Sequence, residues 1–405
     1  MNSAVPAPPP GGDQRFARFR AIEWWDQARL ANARVLVVGV GALGNEVVKN
    51  LALLGVGHVA LIDKDRVEQS NLSRSVLFRP ADDGQPKAGC AARAARSIYP
   101  GIDVVPVVGD VLADVGLGLF RWADAVIGAL DNRETRLFVN SACARLGRPW
   151  VDGGIDVFQG IVRGFAPPVT ACYECTMSRV DWDLLNKRRS CSLLARRAAA
   201  TGGTPTTPTV ASIVGAIQAQ EVVKLLHGMD GLFGKGYVFE GLAHSSYGVT
   251  YPRDPACPWH DPAPPVDPDQ GLTSDSPLEQ VFEHARGKLG GLDALDLSRE
   301  IVEAVECPRC GQVEPVFEPA EKVPEGSLLC RSCGVEQAPR FVHSVERGSK
   351  LLGLSVRQIG LPEWDVIWAR NGMDILGIEI AGDRPGGVPR ECPSCQEEGA
   401  EDGVR

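Results

Sequence analysis

Two sets of residues in this 405-residue chain have the types and spacing to do chemistry. The first begins with Gly39-Val40-Gly41-Ala42-Leu43-Gly44, which closes a continuous apolar run (RVLVVGV) and opens a helical pattern. Gly39, Gly41 and Gly44 in that order allow a tight turn, close approach of a phosphate and close helix-on-strand packing. Asp63 ends the next apolar run (HVALID), where a carboxylate can accept a ribose hydroxyl. Taken alone, these residues describe any dinucleotide site. Asp65, Ser70-Asn71-Leu72, Arg74, Gly84-Gln85-Pro86-Lys87 and Leu130-Asp131-Asn132 follow, with Arg133 and Arg136 behind them. Arg74 and Lys87 can neutralise a triphosphate, and Asp131 at a strand's end can hold Mg2+. Hydride transfer has no use for that apparatus, so ATP is the expected ligand and an NAD-dependent oxidoreductase is the more distant alternative.

The second set is sulfur. Eight of the twelve cysteines fall in four Cys-x-x-Cys pairs. Cys172-Tyr-Glu-Cys175 and Cys257-Pro-Trp-His260 read as a closed Cys3His zinc site, with Cys392 and Cys395 as the alternative completion. Cys307 and Cys310 are followed, with nineteen residues between the pairs, by Cys330 and Cys333, the spacing of a zinc ribbon. Cys392-x-x-Cys395 has no evident partner pair and reads either as a redox motif or as incidental. Cys191 stands apart from the pairs, after Asn186-Lys187-Arg188-Arg189-Ser190. Adjacent cations favour a thiolate and lower the pKa from about 8.5, which makes Cys191 a candidate nucleophile. Cys90 and Cys143 sit inside helical patterns and read as buried.

These residues need a scaffold. Apolar runs at 34–40, 58–63, 102–108 and 123–130 show no polar alternation and are separated by helices at 44–54 and 86–99. That is the pattern of a parallel sheet covered on both faces. Further strands are expected at 149–155, 161–165 and 237–243, a helix at 210–226, and a helix over 14–32 carrying Phe16, Phe19, Ile22 and Trp25. The expected fold is α/β: a doubly wound, mainly parallel sheet over 14–260, with a C-terminal zinc-ribbon-containing domain over 278–382. Residues 1–13 are expected to be disordered, 177–209 to form a long crossover loop, 261–277 a linker and 383–405 a tail. Strand-like pieces near 365–368 and 375–380 lie in the C-terminal domain, which reads as an adaptor for a protein partner.

Composition narrows the function class. A net charge of -9 and a pI near 5.3 argue against a nucleic-acid partner. No apolar run is read as reaching the roughly 18 residues of a membrane span. The Pro- and Gly-rich start lacks a signal peptide's apolar core, so a cytoplasmic location is expected and zinc is favoured over disulfides.

RFARF (15–19), GVGALG (39–44), DKDRVEQSNLSR (63–74), GQPK (84–87) and LDN (130–132) occur in order. Over residues 15–260 the chain resembles the ThiF/HesA/MoeB family and the adenylation domains of ubiquitin-activating enzymes. The resemblance implies a Rossmann-like domain in which Asp63 holds the ATP ribose, Asn71, Arg74 and Lys87 contact phosphates, and Asp131 binds Mg2+. It implies that Arg18 reaches the γ-phosphate in the neighbouring subunit of a homodimer. It also implies adenylation of the C-terminal glycine of a ubiquitin-like protein, thioester formation on Cys191 in the crossover loop, and hand-over to a conjugating-enzyme partner. The rival within the family is a sulfur-carrier-protein adenylyltransferase of thiamine- or molybdopterin-type cofactor synthesis, without a thioester. A non-catalytic zinc-ribbon scaffold would leave the nucleotide motifs unexplained. The family commonly closes its first zinc site with Cys-x-x-Cys, and His260 departs from that pattern.

Overall fold

The computed structural model describes residues 14–190, 205–268 and 271–382. The strands are β1 (Arg34–Val38), β2 (His58–Asp63), β3 (Asp103–Val108), β4 (Ala125–Ala129), β5 (Trp150–Ile155), β6 (Gln159–Phe165), β7 (Lys235–Glu240) and β8 (Ser245–Thr250). They form one sheet in the order β3-β2-β1-β4-β5-β6-β7-β8. The first five are parallel and the last three are joined antiparallel. The helices are α1 (Gln27–Asn32), α2 (Ala42–Leu54), α3 (Lys87–Ile98), α4 (Gly118–Trp122), α5 (Arg133–Arg145), α6 (Arg179–Ser190), α7 (Pro208–Leu226) and α8 (Leu278–Leu289).

Strand side chains alternate between faces. Val35, Val37, Val59 and Leu61 join the buried cluster of α2, α3 and α7. Leu36, Val38, Ala60 and Ile62 join the opposite cluster, with Phe120 of α4 and Leu137 and Val139 of α5. Both faces need apolar residues, which is why β1 and β2 read as unbroken hydrophobic runs.

A second sheet follows. Its strands are β9 (Val266–Asp267), β10 (Ala294–Glu306), β11 (Val313–Pro319), β12 (Ala338–Glu346), β13 (Val366–Asn371) and β14 (Asp374–Glu379). The order is β11-β10-β13-β14-β9, with β12 also on β10. Alternation along β13 again serves two faces. Ile367 and Ala369 pack with Val281 and Phe282 of α8, while Val366 and Trp368 enter the α4–α5 cluster of the first domain. The two domains therefore share a core.

Three expectations are corrected. Residues 14–32 are not one helix: a short turn of 3-10 helix at Phe19–Ala21 precedes α1. Asp26 stops the run by accepting the N–H groups of Ala28 (2.9 Å) and Arg29 (3.3 Å), while Phe19 folds against Trp25. The segment from 261 to 277 carries β9, which pairs with β14. And α7, at 19 residues, is long and apolar enough to cross a membrane by length and composition. It packs on α2, β5 and β6, and buries Gln218 and Glu221 with partners inside the protein. A polar-rich strand, β8, went unread because its side chains are mostly exposed.

Candidate active site

The turn between β1 and α2 is built from three glycines with different duties. Gly39 has φ +90°, and a Cβ there would lie 2.3 Å from the Ala129 carbonyl oxygen, far inside van der Waals contact. A Cβ on Gly44 would meet the Gly39 carbonyl oxygen in the same way. These two let β1, β4 and α2 close up. Gly41 differs: nothing lies within 4 Å of its Cβ position, and it lines an open pocket of about 640 Å3. As the N-cap of α2 it offers no side chain to the first-turn N–H groups, which leaves them for an anion.

Behind this turn sits Asn45, which sequence reading missed. Its Nδ2 donates to the carbonyls of Val40 (2.8 Å) and Gly41 (3.0 Å), and its Oδ1 accepts the Leu77 N–H at 2.9 Å. The available signal was a polar residue on the buried face of an apolar helix.

Asp63 lies at the end of β2 and lines the pocket. One carboxylate oxygen accepts the Val40 N–H at 2.6 Å and the other the Asp65 N–H at 2.8 Å. Burial pushes its pKa above the ordinary carboxylate value, against the pull of those two N–H groups and of Lys87. Lys87 Nζ pairs with Asp65 at 2.9 Å. Arg74 Nη1 donates to the Ser70 carbonyl at 2.8 Å. Asp131 follows β4, and its Oδ1 accepts Asn132 Nδ2 at 3.0 Å. Asn132 caps α5 through the Thr135 N–H at 2.8 Å.

Gly39, Gly41, Asp63, Asp65, Arg74, Lys87 and Asp131 thus line one pocket. Gly44 supports it from behind. Asn71 is buried and uses its Oδ1 on the Glu68 N–H (3.1 Å), away from the pocket lining. Arg18 is exposed and outside that lining. Cys191 lies outside the described residues, as do Cys392 and Cys395; α6, which ends at Ser190, begins beside the pocket, where Asp181 pairs with Arg133 at 2.7 Å.

The pocket's far side rests on a buried ion triad. Asp152 is fully buried between Arg136 (2.8 Å) and Arg163 (2.5 Å). Arg136 also donates to the carbonyls of Leu130 (2.6 Å) and Gly153 (3.0 Å), fixing the strand end that presents Asp131. Arg163 and Asp152 were missed by sequence reading, although an aspartate inside the apolar stretch WVDGGI was a visible cue.

The four expected ligands Cys172, Cys175, Cys257 and His260 converge, their donor atoms all within 4.8 Å of one another. Cys172 Sγ is 3.8 Å from Cys175 Sγ and 3.5 Å from Cys257 Sγ, and Cys175 Sγ is 3.3 Å from His260 Nε2. Metal–sulfur bonds of about 2.3 Å in a tetrahedron put sulfurs about 3.8 Å apart, so this donor set fits zinc. Burial keeps His260 below its ordinary pKa and so favours the neutral imidazole that binds a cation. Cys307, Cys310, Cys330 and Cys333 make a second such group, with Cys307–Cys333 at 3.4 Å and Cys310–Cys330 at 3.6 Å. Backbone N–H groups of Cys310 and Arg309 bring the Cys307 thiol down to about 6. Cys90 and Cys143 are buried, and burial raises both thiols.

The chain is 34% identical over 238 residues to a sulfur carrier protein adenylyltransferase of Thermus thermophilus, covering 57% of this chain and 83% of that one. It is 33% identical over 239 residues to a SAMP-activating enzyme E1 of Haloferax volcanii, covering 57% and 82%. Among solved structures, that of E. coli MccB with ATP aligns at a TM-score of 0.52 and 22% identity, over 62% of this chain and 75% of that one, a likeness of fold. The ThiF family model matches residues 14–257. That match spans the whole first sheet and every residue of the pocket, and by it the chain belongs to the ThiF family.

Proposed function

We propose that this protein uses ATP to adenylate the C-terminal carboxylate of a small ubiquitin-like protein, then takes the acyl group onto Cys191 as a thioester. The observation that carries the reading is the joint placement of Gly41, Asp63, Arg74, Lys87 and Asp131 around one pocket. Asp63 would accept a ribose hydroxyl, and the open N–H groups of α2 with Arg74 and Lys87 would hold phosphates. Asn71, with its Oδ1 on the Glu68 N–H, would hold the local turn whose Ser70 carbonyl accepts Arg74. Asp131 would hold Mg2+, which supplies charge neutralisation at the phosphates when bound. The incoming carboxylate oxygen attacks the α-phosphorus, the bond to the β-phosphate breaks, and pyrophosphate leaves. Substrate alignment and charge neutralisation supply the rate, since the protein forms no bond in this step.

Cys191 follows the last residue of α6. At 1.5 Å per residue, Ser190 is about 14 Å along the helix from Asp181 at the pocket. The Cys191 thiolate would attack the acyl carbonyl of the adenylate, the acyl–phosphate bond breaking as AMP leaves, and a conjugating-enzyme partner would then accept the acyl group. Arg18, exposed near the N-terminus, would act across a homodimer. Zinc would occupy both Cys-rich groups as a closed structural ion. The relative named SAMP-activating enzyme E1 supports the ubiquitin-like reading.

The relative named sulfur carrier protein adenylyltransferase supports a second reading, in which the adenylate is the end product and a sulfur donor consumes it. ATP–pyrophosphate exchange with small proteins ending in glycine tests what the two share. A covalent adduct that survives SDS and is released by thiol favours the thioester; exchange without an adduct favours the sulfur-carrier reading. Binding of NAD in place of ATP overturns both.

A further inference from the structure

The nucleotide pocket has one wall whose shape is decided outside the family-matched region. The loop after β3 contributes Gly109, Asp110 and Val111 to the pocket. The Gly109 N–H bonds the Asp63 carbonyl at 3.2 Å, and the Asp110 carboxylate takes Lys64 Nζ at 2.8 Å. The loop's other side faces the second sheet. There the carbonyls of Leu112 and Val115 accept Arg299 of β10 at 3.0 and 2.8 Å. The Leu117 N–H donates to Asp365 at 2.9 Å, the Gly118 N–H to the Trp364 carbonyl at 2.9 Å, and Asp114 pairs with Lys322 at 2.7 Å.

This is an irregular loop whose backbone polar groups must find partners when buried. Four of those backbone groups find their partners in one distant domain, with the Asp114–Lys322 side-chain pair beside them. Arg299 and Asp365 are themselves almost wholly buried, 3.7 Å apart, so neither has solvent as an alternative. Arg299, Lys322, Trp364 and Asp365 all lie beyond residue 257, where the family match ends.

We infer that the C-terminal domain is a working part of the nucleotide site: Arg299 and Asp365 are positioning residues that hold loop 109–117 where Asp110 and Val111 close the pocket. The inference rests on the nucleotide reading above. It makes the second domain more than an adaptor, since without it the loop carbonyls and N–H groups lose their partners and the pocket wall loses its register.

The test uses the full chain. ATP binding is titrated calorimetrically, and KM values for ATP and for the carrier protein are measured separately in pyrophosphate exchange. Arg299→Met is expected to raise both the Kd and the KM for ATP by about tenfold, leaving the carrier's KM within about twofold. Arg299→Lys keeps the charge but not the fork and is expected to recover part of the loss. Lys322→Ala, at a half-exposed pair, is expected to raise the ATP Kd by about two- to threefold. Variants with a wild-type melting temperature and wild-type ATP affinity overturn the inference. So does an equal rise in both KM values, which a general loosening of the fold produces. If Arg299→Met does not fold, Asp365→Asn and Lys322→Ala decide, and unchanged ATP affinity in both overturns it. A wild-type chain that binds no ATP refutes the nucleotide reading itself, whereas wild-type binding with indifferent variants refutes only the positioning role.

Discussion

The Asp63 carboxylate accepts the Val40 N–H at 2.6 Å, so the end of β2 braces the glycine turn that follows β1. One side chain thereby braces the glycine turn and also lines the pocket.

Asp63→Asn is expected to weaken ATP binding by about tenfold or more, through the lost charged acceptor. Burial favours the neutral acid, so the folded pKa lies above the unfolded value. The contribution of this carboxyl to stability therefore falls as pH rises through that window, while nucleotide binding, which needs the ionised acceptor, improves. ATP titrations at stepped pH are expected to show wild-type affinity falling on acidification above the ordinary carboxylate range, and a flatter profile for the variant.

Gly41→Ala and Gly44→Ala separate binding from folding. A Cβ at Gly44 meets the Gly39 carbonyl, and its cost is expected at about 1–3 kcal/mol of stability. At Gly41 the backbone angle suits alanine and no protein atom is near, so stability is expected to stay within about 0.5 kcal/mol. There the new methyl occupies the phosphate's approach, and the ATP Kd is expected to rise about tenfold or more. Denaturant melts and calorimetry on the same two proteins read both numbers.

Metal analysis is expected to find two zinc ions per chain. His260→Cys should keep both, because a fourth thiolate still completes the tetrahedron, whereas His260→Ala should lose the first. Loss of one site is expected to lower the melting temperature by more than about 5 °C. Zinc retained in full by His260→Ala would point to the tail cysteines Cys392 and Cys395 as the completing ligands.

Cys191→Ala should keep pyrophosphate exchange and lose the thiol-sensitive adduct, while Asp131→Ala should lose both. Exchange measured by isotope incorporation and adduct measured on non-reducing gels distinguish the steps. Exchange untouched in both variants, with no adduct from the wild type, counts against the proposed chemistry.

The parts of the fold that were legible came from local order. β1, β2 and β4 announced themselves because both faces of each strand are buried, and a doubly covered strand is apolar through its middle on both faces. Most of the pocket residues were legible because they sit near the end of such a strand or the start of a helix, Arg74 in the loop between β2 and α3 being the exception. The two Cys-rich groups were visible because their members come in pairs three residues apart. The broken helix at 14–32 was not, since a cap at Asp26 and an aromatic contact between Phe19 and Trp25 outweigh an amphipathic pattern.

By itself the amino-acid order determined the parallel strands of the first sheet, the glycine turn and most of the charged side chains that line the pocket, because those depend on neighbours close in the chain. Tertiary structure decided that Asn45 and the Asp152 triad brace the pocket, that Asn71 turns inward, and that Arg299 reaches Leu112 and Val115 from 187 and 184 residues away. Such pairings follow from how two sheets dock across a shared core, and residue types along a chain carry little trace of a partner so distant.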